Sequence, residues 1–147
     1  MPRASGRSST PCATFAEGFA ASMVVGLGVD LVEIARVERS LARFGERLVR
    51  KLMDPEEARL LPAAGADRAR ALALAIAGKE AASKALGTGW SRGVFWRDVV
   101  VGREPEASVR LKEGAAAVAR GLGSSGRSRA RLAVEGDLAI GEVWLLR

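Results

Sequence analysis

Gly26-Leu27-Gly28-Val29-Asp30-Leu31-Val32-Glu33-Ile34 is the stretch on which the fold turns. Leucines and β-branched residues with two glycines among them predict a buried strand from Met23 to Ile34, carrying Asp30 and Glu33 near its end. An ionised carboxylate inside such a run is costly unless it is paired or bound to a metal. Asp30 therefore needs a partner, and a strand-end hydrogen bond, a salt bridge with Arg36 or a metal ion would each serve.

Beyond the strand the spacing turns helical. Val37, Leu41, Phe44 and Leu48 form one stripe, while Arg36, Arg39, Arg43, Arg47 and Arg50 gather on the opposite side, with Gly45 a point at which the helix can divide. Asp54-Pro55-Glu56-Glu57 has the form of an N-cap, a proline at the first helical position and acids in the first turn, which opens a short helix to Leu61. Residues 66–86 are rich in Ala and Leu and predict the longest helix, stopped by Gly87. Strands are expected over Trp96 to Val101 and Ser108 to Leu111, a helix over Lys112 to Leu122, a loop over Gly121 to Ser128, and a closing strand pair over Arg129 to Val134 and Leu138 to Leu146. There are no repeats, and this mixture predicts an α+β domain over residues 23–147. Upstream, residues 1–22 mix Pro, Ser, Arg and Gly without periodicity and read as a flexible tail.

The 147 residues suit one domain, and the core must be built from Ala, Val, Leu and Ile, because aromatics make up only 5%. Trp90, Trp96 and Trp144 are its rare large pieces. A single cysteine, Cys12, leaves no intramolecular disulfide and no cysteine-based zinc site, and a reducing cytoplasmic setting is the simplest reading. The sequence has no histidine, so the commonest general base and every histidine metal site are missing. Any metal must be held by carboxylates, which suits a hard ion such as Mg²⁺. A net charge of +6 favours an acidic partner or a phosphorylated small molecule. No apolar run approaches the ~20 residues that cross a bilayer. Nucleic acid is the poorer match, because the basic stripe has few aromatics for base stacking.

Two more groups bear on chemistry. Glu80 and Lys84 lie four apart on the long helix, either as an ordinary helix ion pair or as a carboxylate for a metal and an ammonium for a phosphate. Gly87-Thr88-Gly89 is either a helix stop or a turn whose N–H groups cradle phosphate; it lacks the spacing of a P-loop.

In combination these stretches resemble a family. Gly26 to Ile34 followed by Ala35-Arg36 is similar to the first signature of the holo-acyl-carrier-protein synthases, which are 4'-phosphopantetheinyl transferases. Lys79-Glu80-Ala81-Ala82-Ser83-Lys84-Ala85-Leu86-Gly87-Thr88-Gly89 is similar to the second, in the same order and with about the same spacing, and Arg43-Phe44-Gly45-Glu46-Arg47 adds a third block. The resemblance implies the phosphopantetheinyl transferase fold, a small antiparallel sheet packed with one long and several short helices. It further implies Mg²⁺ held by Asp30 and Glu80, coenzyme A phosphates contacted by Lys84, and an acyl carrier protein docked on Arg36, Arg39, Arg43 and Arg47. It implies a homotrimer with active sites between subunits. Glu80 and Lys84 are the candidate catalytic residues; without histidine, the serine proton goes to a carboxylate or a bound water, and Glu80 is the candidate. The sequence departs from the family pattern at Ala75 and Ile76, where a basic residue and an aromatic are usual, and at Arg129-Ala130-Arg131, where the strand usually holds a histidine. Arg129 and Arg131, on one face of that strand, are the candidate substitutes for binding the 3'-phosphate, alongside Gly87, Thr88 and Gly89. The rival reading is a silent homologue that binds coenzyme A or carrier protein without transfer.

Overall fold

The computed structural model describes residues 23–147; the tail expected over 1–22, with Cys12, lies outside the described residues. Strand β1 (Val24–Glu33) leads directly into α1 (Ile34–Phe44). Gly45 then takes a positive φ of 53° and divides α1 from α2 (Glu46–Leu52). A short helix α3 (Pro55–Ala58) precedes the 22-residue α4 (Gly65–Leu86), and after a single 3₁₀ turn at Trp96–Asp98 come β2 (Val99–Gly102), β3 (Ser108–Leu111), α5 (Glu113–Gly121), β4 (Ser128–Glu135) and β5 (Leu138–Leu146). The sheets are antiparallel, one in the order β1-β5-β4 and the other pairing β2 with β3. The α+β architecture is the one expected, and most boundaries lie within two residues of their predicted places.

Helix α4 is the centre of the molecule, and its composition explains how. Buried residues occur around most of its circumference, among them Ala73, Ala75, Ala77, Ala81 and Ala85, so it touches the three-stranded sheet on one side and α1 on the other. Small residues face small residues across the sheet contact. A Cβ added to Gly28 would sit 1.9 Å from the Ala81 carbonyl oxygen, one on Gly26 2.3 Å from that of Ala85, and one on Gly141 2.4 Å from that of Ala77. The helix thus lies almost directly on the strand backbones, a contact that only glycine permits.

That packing corrects the first strand. β1 is an edge strand whose even-numbered residues face α4, while Leu27, Val29 and Leu31 are exposed on the outer face at 56%, 47% and 56%. Alternation of small with large apolar residues marks one covered face and one open face, which a reading of apolar content alone takes for complete burial. Phe44 also leaves the predicted apolar stripe: it is exposed, with the Arg43 guanidinium 4.9 Å from its ring centre. Strand β2 starts at Val99 rather than Trp96, because Asp98 turns back to accept a hydrogen bond from the Phe95 N–H at 3.0 Å. The short third helix ends at Ala58 rather than Leu61.

Candidate active site

Asp30 lies on the covered face of β1, and Glu80 lies on α4. Close approach of that helix to the strand brings the two carboxylates into one cleft of about 490 Å³. Glu33, Arg36 and Ser40 are the other polar residues of its wall, and Ile76, Trp96 and Leu138 are among the apolar ones. One helical turn beyond Glu80, the Lys84 ammonium donates to Asp30 Oδ1 at 2.6 Å and to the Val29 carbonyl at 3.1 Å. The partner of Asp30 is therefore Lys84, where the sequence offered Arg36. Lys84 spends its charge across the strand rather than along its helix on Glu80, so the ordinary helix pair is not formed. Glu80 makes no side-chain ion pair among the described residues.

Gly87 closes α4 in the left-handed conformation at φ 73°, and Gly89 has φ 58°. Thr88 and Ser91 tie the turn internally, with Thr88 Oγ1 donating to the Gly89 carbonyl at 2.9 Å and Ser91 Oγ to the Thr88 carbonyl at 2.6 Å. Seven residues of helix put this turn about 10 Å from Glu80, outside the cleft but along the same helix. Of the stripe arginines, Arg36 joins the cleft wall, Arg39 meets Glu33 at 3.4 Å, Arg43 covers Phe44, and Arg47 is exposed on α2.

Arg129 and Arg131 do share one face of β4, as their spacing predicts, but it is the outer face of the sheet, two strands from β1. They line a separate groove with Trp144 and Ser128, and Arg131 reaches Glu142 at 3.5 Å. Within one chain they do not join the cleft of Asp30 and Glu80. Ala75 is fully buried, in the core cluster that also holds Val37 of α1 and Val49 of α2.

The sequence marks Glu57 only as a first-turn helix acid and Lys79 only as part of the second signature block, yet they form the most buried polar contact described. Lys79 is 0% exposed, and its three ammonium hydrogens have three acceptors: Glu57 Oε2 at 2.8 Å, the Trp96 carbonyl at 3.0 Å and the Val99 carbonyl. Glu57 in turn accepts from the Val101 N–H at 2.8 Å, which covers the open edge of β2, and from the Asp54 N–H at 2.9 Å, which completes a capping box. Burial pushes the Lys79 ammonium below its ordinary pKa, and Glu57 beside it opposes that shift. Nearby, the hydrogen bond from Lys112 at 2.8 Å holds the Asp54 carboxyl below its usual range and raises Lys112 in return. An acid three residues after an N-cap aspartate was the available signal for Glu57. Lysine inside an alanine and glycine run was the signal for Lys79.

With this geometry in place, the comparisons with known proteins define a class and then a family. The model of the 4'-phosphopantetheinyl transferase superfamily matches residues 26–134. A holo-[acyl-carrier-protein] synthase of Methylobacterium sp. (strain 4-46) is 49% identical over 114 residues, covering 76% of this chain and 83% of the relative. The crystal structure of holo-[acyl-carrier-protein] synthase from Neisseria meningitidis has a TM-score of 0.71 at 29% identity, covering 84% of this chain and 98% of that one. An ACPS–CoA complex from Chronobacterium ammoniagenes has a TM-score of 0.65 at 25% identity, covering 83% and 96%. The chain belongs to the holo-[acyl-carrier-protein] synthase family of phosphopantetheinyl transferases.

Proposed function

We propose that the protein uses Mg²⁺ to transfer the 4'-phosphopantetheine group of coenzyme A to a serine of an apo acyl carrier protein, releasing 3',5'-ADP. The observation that carries this reading is the meeting of Asp30, Glu80 and Lys84 where α4 lies on β1, in a chain of this family. The donor set fits a hard cation, since the cleft is lined by the carboxylates of Asp30 and Glu33 on β1 and of Glu80 on α4, and the chain has no histidine. Asp30 and Glu80 would hold Mg²⁺, leaving its remaining positions to phosphate oxygens and water, and the ion would neutralise charge on the pyrophosphate.

The chain's own groups then have distinct tasks. Lys84, already at Asp30, turns its ammonium to the phosphates. Glu80 accepts the proton of the serine hydroxyl as its oxygen attacks the β-phosphate, and the bond to the leaving 3',5'-ADP breaks. N–H groups of Gly87, Thr88 and Gly89 face the nucleotide end. The exposed arginines of α1 and α2, Arg36, Arg39, Arg43 and Arg47, attract an acidic carrier.

Assembly supports the remaining contact. Leu27, Val29 and Leu31 form an exposed apolar row on an edge strand, the kind of surface that a second copy covers. Arg129 and Arg131 stand on the same outer face. In a homotrimer, with sites between subunits, they would reach the 3'-phosphate bound at a neighbour's cleft. A cytoplasmic location agrees with coenzyme A and carrier protein as substrates, and no described helix is long and apolar enough to cross a membrane.

Incubation with coenzyme A, Mg²⁺ and an apo carrier, followed by mass measurement of the carrier, tests the reading. A gain of one phosphopantetheine group that a chelator abolishes is the expected result. An unmodified carrier, with coenzyme A still bound to the protein, would instead establish a silent homologue.

A further inference from the structure

The buried Lys79–Glu57 pair lies outside the reacting groups, but one of the ammonium's two remaining contacts leads back to them. The Lys79 ammonium holds the Trp96 carbonyl at 3.0 Å and the Val99 carbonyl on the far side. Trp96 is a wall of the cleft that contains Asp30 and Glu80. Its ring also stacks on Trp90, with centres 4.0 Å apart and planes 17° from parallel. Trp90 follows Gly87-Thr88-Gly89 immediately. One ammonium therefore anchors a continuous line from the core, through the Trp96 backbone and the stacked indoles, to the glycine turn.

We propose that Lys79, held by Glu57, is a positioning residue for donor binding: it fixes the Trp96 wall and, through the Trp90–Trp96 stack, the turn that follows α4. The inference rests on the proposed use of this cleft for coenzyme A. Lys79 touches none of the groups assigned to the chemistry. Asp30, Glu80 and Lys84 are placed by the contact of α4 with β1, which is made of glycines and alanines and owes nothing to the Lys79 side chain. Loosening the tryptophan wall removes interactions made alike in the ground state and the transition state, so it raises the KM for coenzyme A and leaves kcat nearly unchanged. A purely structural lysine would lower the melting temperature and the folded fraction without moving KM.

The test compares Lys79→Met with the double variant Lys79→Met/Glu57→Gln. Methionine keeps length and bulk but leaves the Glu57 carboxylate buried without its cation, a strongly destabilising state. Glutamine in the double variant removes that stranded charge and keeps one acceptor oxygen, for either the Val101 or the Asp54 N–H, so part of the stability returns while the hold on Trp96 stays lost. Two readouts are taken: coenzyme A KM and kcat in carrier modification, and the exciton couplet of the stacked indoles in circular dichroism, with Trp90→Phe as the control that identifies it. The double variant should show a KM on the order of 10-fold higher or more, as for other residues that orient a binding group, with kcat within a few-fold and a weakened couplet. Parent KM and an intact couplet in the double variant would overturn the proposal, as would a fall confined to kcat. Should the parent itself transfer nothing, the functional reading fails, and the couplet still decides whether Lys79 sets the tryptophan stack.

Discussion

Gly28→Ala is the smallest change that strikes both the fold and the site. The new Cβ would meet the Ala81 carbonyl oxygen at 1.9 Å and the Ala85 nitrogen at 2.7 Å, both backbone atoms of α4. Ordinary contact begins near 3.4 Å, so about 1.5 Å of separation between β1 and α4 must be found. No rotamer can supply it, and the helix or the strand has to move. Overpacking of this kind costs about 1–3 kcal/mol, and more where backbone opposes it. For a domain of this size each kcal/mol lowers Tm by about 3–6 °C, so a fall of roughly 3–18 °C is expected by thermal unfolding. Activity should suffer more than stability. Asp30 lies two residues along the same face as Gly28, while Glu80 and Lys84 ride on the displaced helix, and a misplacement of about 1 Å can cost on the order of 100-fold in rate. Carrier modification in folded protein, with coenzyme A and Mg²⁺ saturating, is the assay. A Tm within about 2 °C of the parent together with parent activity would refute the reasoning that this contact places the site.

Other perturbations separate the remaining assignments. Reversing charge at Arg36 or Arg43 should raise the carrier KM and flatten its salt dependence, and an unchanged carrier KM would remove α1 from the docking surface. Arg129→Ala/Arg131→Ala should lose the preference of the parent for coenzyme A over its 3'-dephospho form; a parent with no preference, or a double variant that keeps it, would remove these arginines from the nucleotide site. Asp54 is held below its ordinary value of 3.8 by Lys112, so its contribution to stability is present above that value and lost as pH falls through the lowered one. Asp54→Asn should therefore melt below the parent at pH 7, with the difference shrinking in melts taken below pH 3.8, and a gap independent of pH would contradict the assignment.

Much of this was legible in the sequence because local chemistry and global fold agree. The cap at Asp54, the helix stop at Gly87 and the closing strand pair each follow from residues in the immediate neighbourhood, and the structure has all three. The two signature blocks put Asp30, Glu80 and Lys84 on the page before any coordinates. What the sequence could not give is contact between segments. That Asp30 bonds Lys84 depends on how closely α4 lies on β1, which is set jointly by Gly28 and Ala81, 53 residues apart in the chain. The exposed face of β1 was lost for the same reason, since apolar content does not say whether a second layer covers it. Glu57 and Lys79 escaped because a buried ion pair is defined by its partners, and theirs come from α3, α4 and the start of β2.

The central claim is that Asp30 and Glu80 together hold the metal on which transfer depends. It is tested most directly by weighing an apo carrier after incubation with coenzyme A and increasing Mg²⁺ in the presence of parent, Asp30→Ala or Glu80→Ala protein. Mn²⁺ binding to each is followed by the loss of its free-ion resonance signal. The parent should bind the ion and add one phosphopantetheine group in a reaction that chelation stops and Mg²⁺ or Mn²⁺ restores, while each variant keeps its fold, binds the ion weakly and leaves the carrier unmodified. Parent-rate modification and parent-level ion binding by both variants would contradict the account.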